Sequence, residues 1–165
     1  GKLAATIRSF RAVRKNLTVP DFGNDLVKKL YATYLSYLPE DDFTYYLEKH
    51  ADERGNLAEF IKNMSLGQIF LSKTKPGVTR GDHYHHTKTE KFLVIDGKAL
   101  IRFRDIRSAE IIEYQVNGSE YQVIDIPPGY THSIENIGTS TLITLFWANE
   151  IYNSENPDTV YIPVI

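Results

Sequence analysis

From about residue 52 onward, the sequence consists of short runs of β-branched and aromatic residues, each followed by turn-forming residues. These runs predict β-strands at about 57–62, 67–74, 81–85, 91–95, 98–105, 109–116, 121–126, 132–136 and 141–149. Asp96-Gly97 and Asn117-Gly118 each lie between two such runs, which is a strong signal for a β-hairpin. Many short strands joined by tight turns predict an antiparallel sandwich or barrel.

The beginning of the chain has a helical pattern instead. Its apolar residues recur at spacings of four and three, which predicts a helix with a stripe formed by Leu3, Ile7, Phe10 and Val13. A second helix is predicted over about 24–38, because Asn24 suits a helix start and Pro39 ends the pattern. The chain is therefore predicted to be mainly β with an N-terminal pair of α-helices, divided into a helical segment, 1–50, and a β domain, 51–165.

The composition excludes several classes of function. The chain is 42% hydrophobic and 24% charged, which is typical of an ordinary globular protein. Its net charge of −2 does not favour binding to nucleic acid or to an anionic membrane, and no apolar run approaches the ~20 residues that span a bilayer. We therefore expect a cytoplasmic protein with neither partner. Because cysteine is absent, any metal site must use His, Asp or Glu.

Four polar residues have a spacing that suits a metal site. Side chains alternate faces along a strand, so His83 and His85 point the same way while His86 points the other way. Glu90 follows after a turn, and His132 comes from a distant predicted strand. Three imidazoles and a carboxylate can surround one divalent cation; they suit Zn, Fe, Ni, Mn or Co, and do not exclude Cu.

The two stretches that carry these residues resemble the sequence motifs of cupins. The first resembles cupin motif 1 without a gap, at Gly77, His83, His85, Glu90 and Gly97. The second resembles cupin motif 2, at Pro127, Gly129, His132 and Asn136, although Tyr121 stands where a glycine usually precedes it. The resemblance implies a jelly-roll barrel, the double-stranded β-helix, with a site in its mouth. It also implies that the three histidines and Glu90 are metal ligands.

A second resemblance concerns nucleotide-sugar enzymes. Three segments are similar to landmarks of dTDP-4-keto-sugar 3,5-epimerases, at 52–60, 77–84 and 127–132. The likeness implies that Arg80 binds substrate and that His83 matches the catalytic base of those enzymes. Glu90 replaces a lysine that helps to hold their enolate, and Phe146 and Trp147 fall near the place of their acid tyrosine. A metal ion in place of the lysine would supply the same positive charge.

The broadest resemblance is to the C-terminal part of bifunctional capsular-polysaccharide enzymes that make UDP-N-acetyl-L-fucosamine. The matching segments extend over nearly the whole chain, at 34–39, 83–97, 125–136 and 149–159. In that family an N-terminal short-chain reductase uses NADPH, and a C-terminal zinc cupin acts first on the keto-sugar. The resemblance implies that residues 1–50 are the tail of a reductase domain. It also implies zinc as the cofactor of this chain and NADPH only on the missing reductase domain.

These resemblances imply a metal-dependent epimerase. Its substrate would be a UDP-4-keto-2-acetamido-6-deoxy-hexose, which loses a proton at C3 beside the 4-keto group. Because metal-bound ligands are not free to act as the base, we predict that the catalytic residues are Tyr84, Tyr130 and Lys91; His86 is a further candidate. Strand parity directs Lys91 and His86 away from the barrel. Arg80 and Lys88 are the cations predicted to bind the substrate.

Two other functions are compatible with the sequence. One is a non-catalytic module that binds a nucleotide sugar and dimerises in the service of a reductase. The other is an iron-dependent dioxygenase, since some cupins with this ligand set have that activity. The resemblance to cupins also implies a homodimer, and the leading strand, at about 52–62, is the candidate edge for pairing between subunits.

Overall fold

The computed structural model describes residues Gly1–Ile165. Two α-helices come first, α1 Lys2–Asn16 and α2 Asp25–Ser36, followed by a short 3-10 helix, Glu40–Asp42. The remainder is formed by strands: β1 His50–Asp52, β2 Gly55–Asn63, β3 Gly67–Thr74, β4 Thr79–Tyr84, β5 Glu90–Asp96, β6 Lys98–Asp105, β7 Ile111–Asn117, β8 Val123–Ile126, β9 Tyr130–Asn136, β10 Leu142–Ala148 and β11 Val160–Tyr161.

The strands form two antiparallel sheets. One sheet has the order β1-β2-β3-β10-β5-β8, and the other has the order β11-β4-β9-β6-β7. Consecutive strands such as β5 and β6, or β7 and β8, lie in different sheets, so the chain crosses repeatedly between the two layers. The hairpins predicted at Asp96-Gly97 and Asn117-Gly118 are therefore wrong: the chain turns at both places, but the flanking strands pair with other strands and not with each other. The predicted fold class, a mainly β jelly roll with an N-terminal pair of helices, is confirmed.

The hydrophobic core lies between the two sheets. Inward side chains are buried at every second position of β10, and β6 shows the same alternation. Both sheets contribute to one cluster of buried apolar residues: Phe92, Val94, Ala99, Ile101, Phe103, Val116, Ile124, Ile126, Ile134, Leu142 and Phe146. This core fixes the strands that carry the functional side chains described below.

Two strands were not predicted from the sequence. β1 has three residues and β11 has two, so neither is long enough to show an alternating pattern. β11 exists because Val160 and Tyr161 pair with Tyr84 and His83 on β4, across a long sequence separation. A prediction from local pattern cannot detect such a pairing.

The helices form a small aromatic cluster beside the barrel. The ring of Phe10 lies 5.1 Å from that of Tyr31 and 5.7 Å from that of Tyr34, measured between centroids. The predicted start of α2 is confirmed, because Asn24 Oδ1 accepts hydrogen bonds from the backbone N–H groups of residues 26 and 27. The chain after α1 joins the sheet through backbone hydrogen bonds between Lys62 and its neighbours Leu17 and Val19.

The predicted apolar stripe of α1 is only partly buried. Phe10 is 2% exposed, whereas Leu3 is 54% exposed and Ile7 is 39% exposed. The helical prediction is right, but the barrel does not cover this face of α1. No helix in the structure combines the length and the apolar composition that crossing a membrane requires.

Candidate metal centre

Four side chains from separate parts of the barrel meet at one point. His83 lies on β4, His85 lies just beyond the end of β4, Glu90 begins β5 and His132 lies on β9. One ligand atom from each lies within 4.8 Å of those of the other three. His83 and His132 are direct partners in the pairing of β4 with β9, so the sheet itself sets their separation.

Two of these imidazoles have a buried nitrogen without a hydrogen-bond partner. His85 and His132 are each 1% exposed, and the Nε2 atom of each is unpaired. Glu90 Oε2 lies 3.4 Å from Nε2 of His85 and 3.6 Å from Nε2 of His132, and neither contact has hydrogen-bond geometry. Unpaired polar atoms are costly to bury. A divalent cation would satisfy these atoms, and imidazole with carboxylate is a suitable donor set for one.

Hydrogen bonds to backbone carbonyls hold the same two rings in the protonation state that a ligand needs. His132 Nδ1 lies 3.2 Å from the carbonyl oxygen of Tyr130, and His85 Nδ1 contacts the carbonyl oxygen of Asp158. A carbonyl only accepts, so each Nδ1 must carry the proton and donate it. Each Nε2 therefore keeps a lone pair directed at the shared centre.

The electrostatics of the cluster favour neutral imidazole and ionised carboxylate. Burial, with the nearby imidazoles of His132 and His85, lowers the pKa of His83 to about 4, so its ring is neutral at pH 7. Burial alone would raise the pKa of Glu90, but contacts with His132, His85 and Lys88 outweigh it and hold that pKa below its ordinary value. Both groups are thus in their metal-binding form at neutral pH.

The cluster forms one wall of a cavity of about 200 Å³. His83, Glu90 and His132 line it, together with apolar side chains that include Phe92 and Phe146. A wider cavity of about 510 Å³ shares His83 and Glu90 with it. The smaller cavity, called the chamber below, is partly apolar and lies beside the four clustered side chains, and the wider cavity adjoins it through the residues that they share.

Comparison with known proteins identifies the family. Residues 50–160 match the sequence profile described as "Polysaccharide biosynthesis C-terminal domain". The chain belongs to this family. It is 46% identical over 159 residues to the UDP-2-acetamido-2,6-beta-L-arabino-hexul-4-ose reductase of Pseudomonas aeruginosa strain PA103. That match covers 96% of this chain but 43% of the relative.

Solved structures agree with this assignment. The crystal structure of the capsular polysaccharide assembling protein CapF from Staphylococcus aureus superposes with a TM-score of 0.98 and 47% identity, covering 99% of this chain and 44% of that one. The chain thus spans less than half the length of either relative. The cupin domain of Drosophila melanogaster CENP-C, at 16% identity over 62% of this chain and 70% of its own, has a TM-score of 0.52 and supports the fold alone.

A more distant relative is named for a different activity. The probable low-salt glycan biosynthesis epimerase Agl13 of Haloferax volcanii is 26% identical over 129 residues. The match covers 71% of this chain and 83% of that protein, so it involves most of the archaeal chain.

In this polysaccharide biosynthesis domain, Arg80, which the resemblance predicted to bind substrate, lies on the wall of the smaller cavity. Its Nε donates to Thr74 Oγ1 at 3.1 Å, and its Nη2 lies 3.5 Å from Asp52 Oδ1. Arg54, also on this wall, contacts the other oxygen of Asp52 at 2.6 Å. Two guanidinium groups share one carboxylate, so these three side chains together carry a net charge of about +1, and the ionised Glu90 on the same cavity carries the opposite charge.

The two predicted lysines have different surroundings. Lys88 lines the wider cavity, and its Nζ lies 3.5 Å from both Glu90 Oε1 and Thr159 Oγ1. Lys91 contacts Asp125 instead, and its side chain is 49% exposed. The structure therefore brings Lys88 to the site and leaves Lys91 on the outer face of β5, as strand parity predicts.

The two predicted tyrosines lie beside a different cavity. Tyr84 and Tyr130 line a depression of about 320 Å³ together with Asp105 and Arg107, and of the four ligand residues only His85 borders it. Tyr130 also packs against the hydrophobic core. The structure does not bring either tyrosine into the chamber beside His83, Glu90 and His132. His86, the further candidate, is exposed on the same outer side.

Three residues near the site were not assigned a role from the sequence. Arg54 belongs to the segment 52–60, and the resemblance of that segment to the epimerase landmarks could have pointed to a role at the site. Tyr161 lines both cavities, and its ring lies 5.9 Å from that of His83. Asp158 contacts His85. Tyr161 and Asp158 both lie in the C-terminal segment, whose path depends on long-range strand pairing. The only sequence signal for this segment was the resemblance over residues 149–159.

The lowered pKa of His83 predicts how the metal-free protein responds to acid. Between about pH 6.5 and pH 4 the unfolded chain holds a proton at His83 that the folded chain does not. The free energy of unfolding should therefore fall as the pH is lowered through this range, and a His83→Asn variant should lose part of that slope. Urea unfolding with a chelator present, at several pH values, measures it. Equal slopes in the two proteins would contradict the assignment.

Proposed function

We propose that this chain catalyses metal-dependent epimerisation of a UDP-linked 4-keto-2-acetamido-6-deoxy-hexose at C3, the carbon next to the ketone. The observation that carries the proposal is the convergence of His83, His85, Glu90 and His132 beside a chamber of sugar-ring size. The names of two relatives, one a reductase of a UDP-hexulose and one a probable glycan epimerase, support this class of substrate and reaction.

The reaction requires an enolate to be stabilised. A proton next to a ketone is weakly acidic because the resulting anion delocalises onto the ketone oxygen. A divalent cation, which we propose to be zinc, would when held by the four ligands polarise that oxygen as a Lewis acid. Phe92 and Phe146 keep the chamber wall apolar, which excludes water and strengthens the electrostatic interactions inside it.

Cationic side chains line both the chamber and the wider cavity that adjoins it. Arg54 and Arg80 lie on the wall of the chamber and Lys88 on that of the wider cavity. A nucleoside diphosphate has two phosphate groups that need such donors, and guanidinium groups bind phosphate in a bidentate manner. We propose that Arg80 and Lys88, together with Arg54, bind the diphosphate while the sugar occupies the chamber.

Proton transfer needs a group that is not a metal ligand. Tyr84, Tyr130 and Lys91 stay predictions for this role, although none of them lines either cavity. Tyr161 is the candidate that the structure adds, because its side chain lines both cavities. We propose that its hydroxyl contacts the hexose and exchanges a proton with it.

Solvent exchange tests the proposed reaction. When zinc-loaded protein is incubated with the UDP-4-keto-hexose in deuterium oxide, we expect deuterium to enter C3, detected by NMR. Glu90→Gln should slow the exchange by about 10³-fold, because Lewis-acid stabilisation is worth several kcal/mol and each ~1.4 kcal/mol corresponds to tenfold. Glu113→Gln, which removes a carboxylate paired with Arg102 on the other sheet, should leave the exchange unchanged.

Other outcomes of this experiment would indicate the other functions. Tight binding of the UDP-sugar without deuterium exchange, unaffected by Glu90→Gln, would indicate a non-catalytic binding module. Oxygen uptake by iron-loaded protein would indicate a dioxygenase. Either result would refute the epimerase proposal.

The whole protein is proposed to be larger than this chain. The relatives are more than twice its length, and we propose that residues 1–50 end a reductase domain that binds NADPH. We also propose that the protein is a cytoplasmic homodimer, with the edge formed by β1 and β2 as the candidate pairing surface.

A further inference from the structure

The C-terminal segment of the chain runs across the mouth of the barrel. It contacts two of the proposed metal ligands, His83 and His85. It leaves β10 at Asn149, whose side chain accepts a hydrogen bond from the backbone N–H of Thr89 at 3.0 Å. It ends in β11, where Tyr161 pairs with His83. Between these points, Asp158 makes a dense set of polar contacts with the turn that separates His85 from Glu90.

The carboxylate of Asp158 accepts four hydrogen bonds from this turn. Its Oδ1 accepts from the backbone N–H of His86 at 2.8 Å. Its Oδ2 accepts from the backbone N–H of Thr87 at 2.7 Å, from that of Lys88 at 2.8 Å and from Thr87 Oγ1 at 3.0 Å. Hydrogen bonds to an ionised acceptor are roughly twice as strong as neutral ones. One side chain thus satisfies three consecutive backbone donors of a turn flanked by two of the proposed ligands.

The main chain of the same residue contacts the metal centre directly. The carbonyl oxygen of Asp158 accepts the Nδ1 proton of His85, which leaves Nε2 of His85 facing Glu90. The carboxylate and the carbonyl therefore act together. The carboxylate fixes residue 158 against the turn, and the fixed carbonyl sets the tautomer and the ring orientation of His85.

We propose that Asp158 is a positioning residue that prearranges His85 and Glu90 for metal binding. The inference rests on the metal centre of the proposed function and not on the reaction catalysed there. A prearranged ligand set loses less conformational freedom when the cation binds, so the affinity for the metal is higher. Asp158 contacts one proposed ligand, His85, but it is not itself one of the four residues proposed to bind the cation.

Asp158→Asn tests this role because the side chain keeps its shape while one of its two acceptor oxygens becomes an NH₂ donor. Oδ2 accepts three donors and Oδ1 accepts one, so either orientation of the amide places its NH₂ group against a backbone N–H. We expect the dissociation constant for zinc to rise by about 10–100-fold, the range typical of outer-shell partners of metal ligands. Competition with a chromophoric chelator measures the constant, at temperatures where circular dichroism shows the metal-free protein to be folded.

Asp125→Asn is the matched control. It makes the same chemical change at a carboxylate whose side chain is 74% exposed and whose partner is Lys91, and it should bind zinc as the wild type does. Asp158→Ala, which removes the acceptors without introducing donors, decides the matter if the Asn variant does not fold. A second readout is the ¹⁵N NMR spectrum of His85 in metal-free protein. We expect the Nδ1-protonated form in the wild type and a mixture of tautomers in the variant.

The outcomes separate this inference from the proposed function. If wild-type protein fails to bind zinc, both the metal centre and the role of Asp158 are overturned. If wild-type protein binds zinc and the folded Asp158 variants bind it with unchanged affinity and an unchanged His85 tautomer, the role of Asp158 alone is overturned. Weakened binding together with a changed tautomer supports the inference, because a general loss of stability would not redistribute the His85 proton.

Discussion

Replacing His85 by alanine is expected to abolish binding of a divalent cation at the proposed metal centre. The substitution deletes one of the four proposed ligands and opens a space at a side chain that is 1% exposed. Loss of an outer-shell partner already lowers metal affinity by about 10–100-fold, and loss of a ligand should lower it further. Elemental analysis after dialysis should find one equivalent of metal in the wild type and almost none in the variant.

His86→Ala provides the control next to it in the sequence. His86 is exposed and its ring lies 5.1 Å from that of Tyr84, on the side away from the ligands. This variant should retain a full equivalent of metal. If both variants kept their metal, or both lost it, His85 would not have the role that its unpaired Nε2 assigns to it.

Among substitutions of polar residues outside the metal centre, Asn136→Ala is expected to lower the free energy of unfolding the most. Asn136 is 0% exposed, and its Nδ2 donates at 2.9 Å to the carbonyl oxygens of both Thr74 and Ser140. Its Oδ1 accepts from the backbone N–H of Gly138 at 3.0 Å. Alanine would leave these groups unpaired at about 1–3 kcal/mol each, so we expect a loss of at least ~3 kcal/mol. Denaturant unfolding measures the change.

Asn156→Ala is the matched control for this loss. Asn156 lies on the exposed C-terminal segment, and its only hydrogen bond there is from its backbone N–H to the carbonyl of Asn153. Its replacement should change the free energy of unfolding by no more than about 0.5 kcal/mol. A similarly small effect of Asn136→Ala would show that water or a rearranged turn satisfies the freed groups.

The prediction from sequence was strongest where spacing is local. His83, His85 and Glu90 lie within one strand-turn-strand unit, so their separation in the chain nearly determines their separation in space. The strand pattern also located the chain reversal at Asp96-Gly97 between β5 and β6, although the hairpin predicted there is wrong because the two strands lie in different sheets. His132 could be added because the second cupin motif marks it, and β9 places it opposite His83.

The prediction was weakest where roles depend on which face of a strand meets the cavity. Tyr84 lies between His83 and His85 in the sequence, yet it lines a different cavity because neighbouring side chains on a strand point to opposite faces. Tyr130 has the same strand parity as His132, but it stands at the first position of β9 and lines the same cavity as Tyr84. Tyr161 and Asp158 reach the site only because the C-terminal segment crosses the barrel mouth to pair with β4. That path is fixed by contacts with residues more than seventy positions away, which no local pattern reveals.

X-ray absorption spectroscopy of the zinc-loaded protein tests the central claim most directly, because it reports the atoms bound to the metal. We expect one zinc ion per chain, with three imidazole nitrogens at about 2.0–2.1 Å and carboxylate oxygen at about 2.0–2.2 Å. The imidazole signal should fall by one third in any His85→Ala protein that still holds zinc. A zinc shell of oxygen atoms alone, or a spectrum identical in the two proteins, would contradict a cation held by His83, His85, Glu90 and His132.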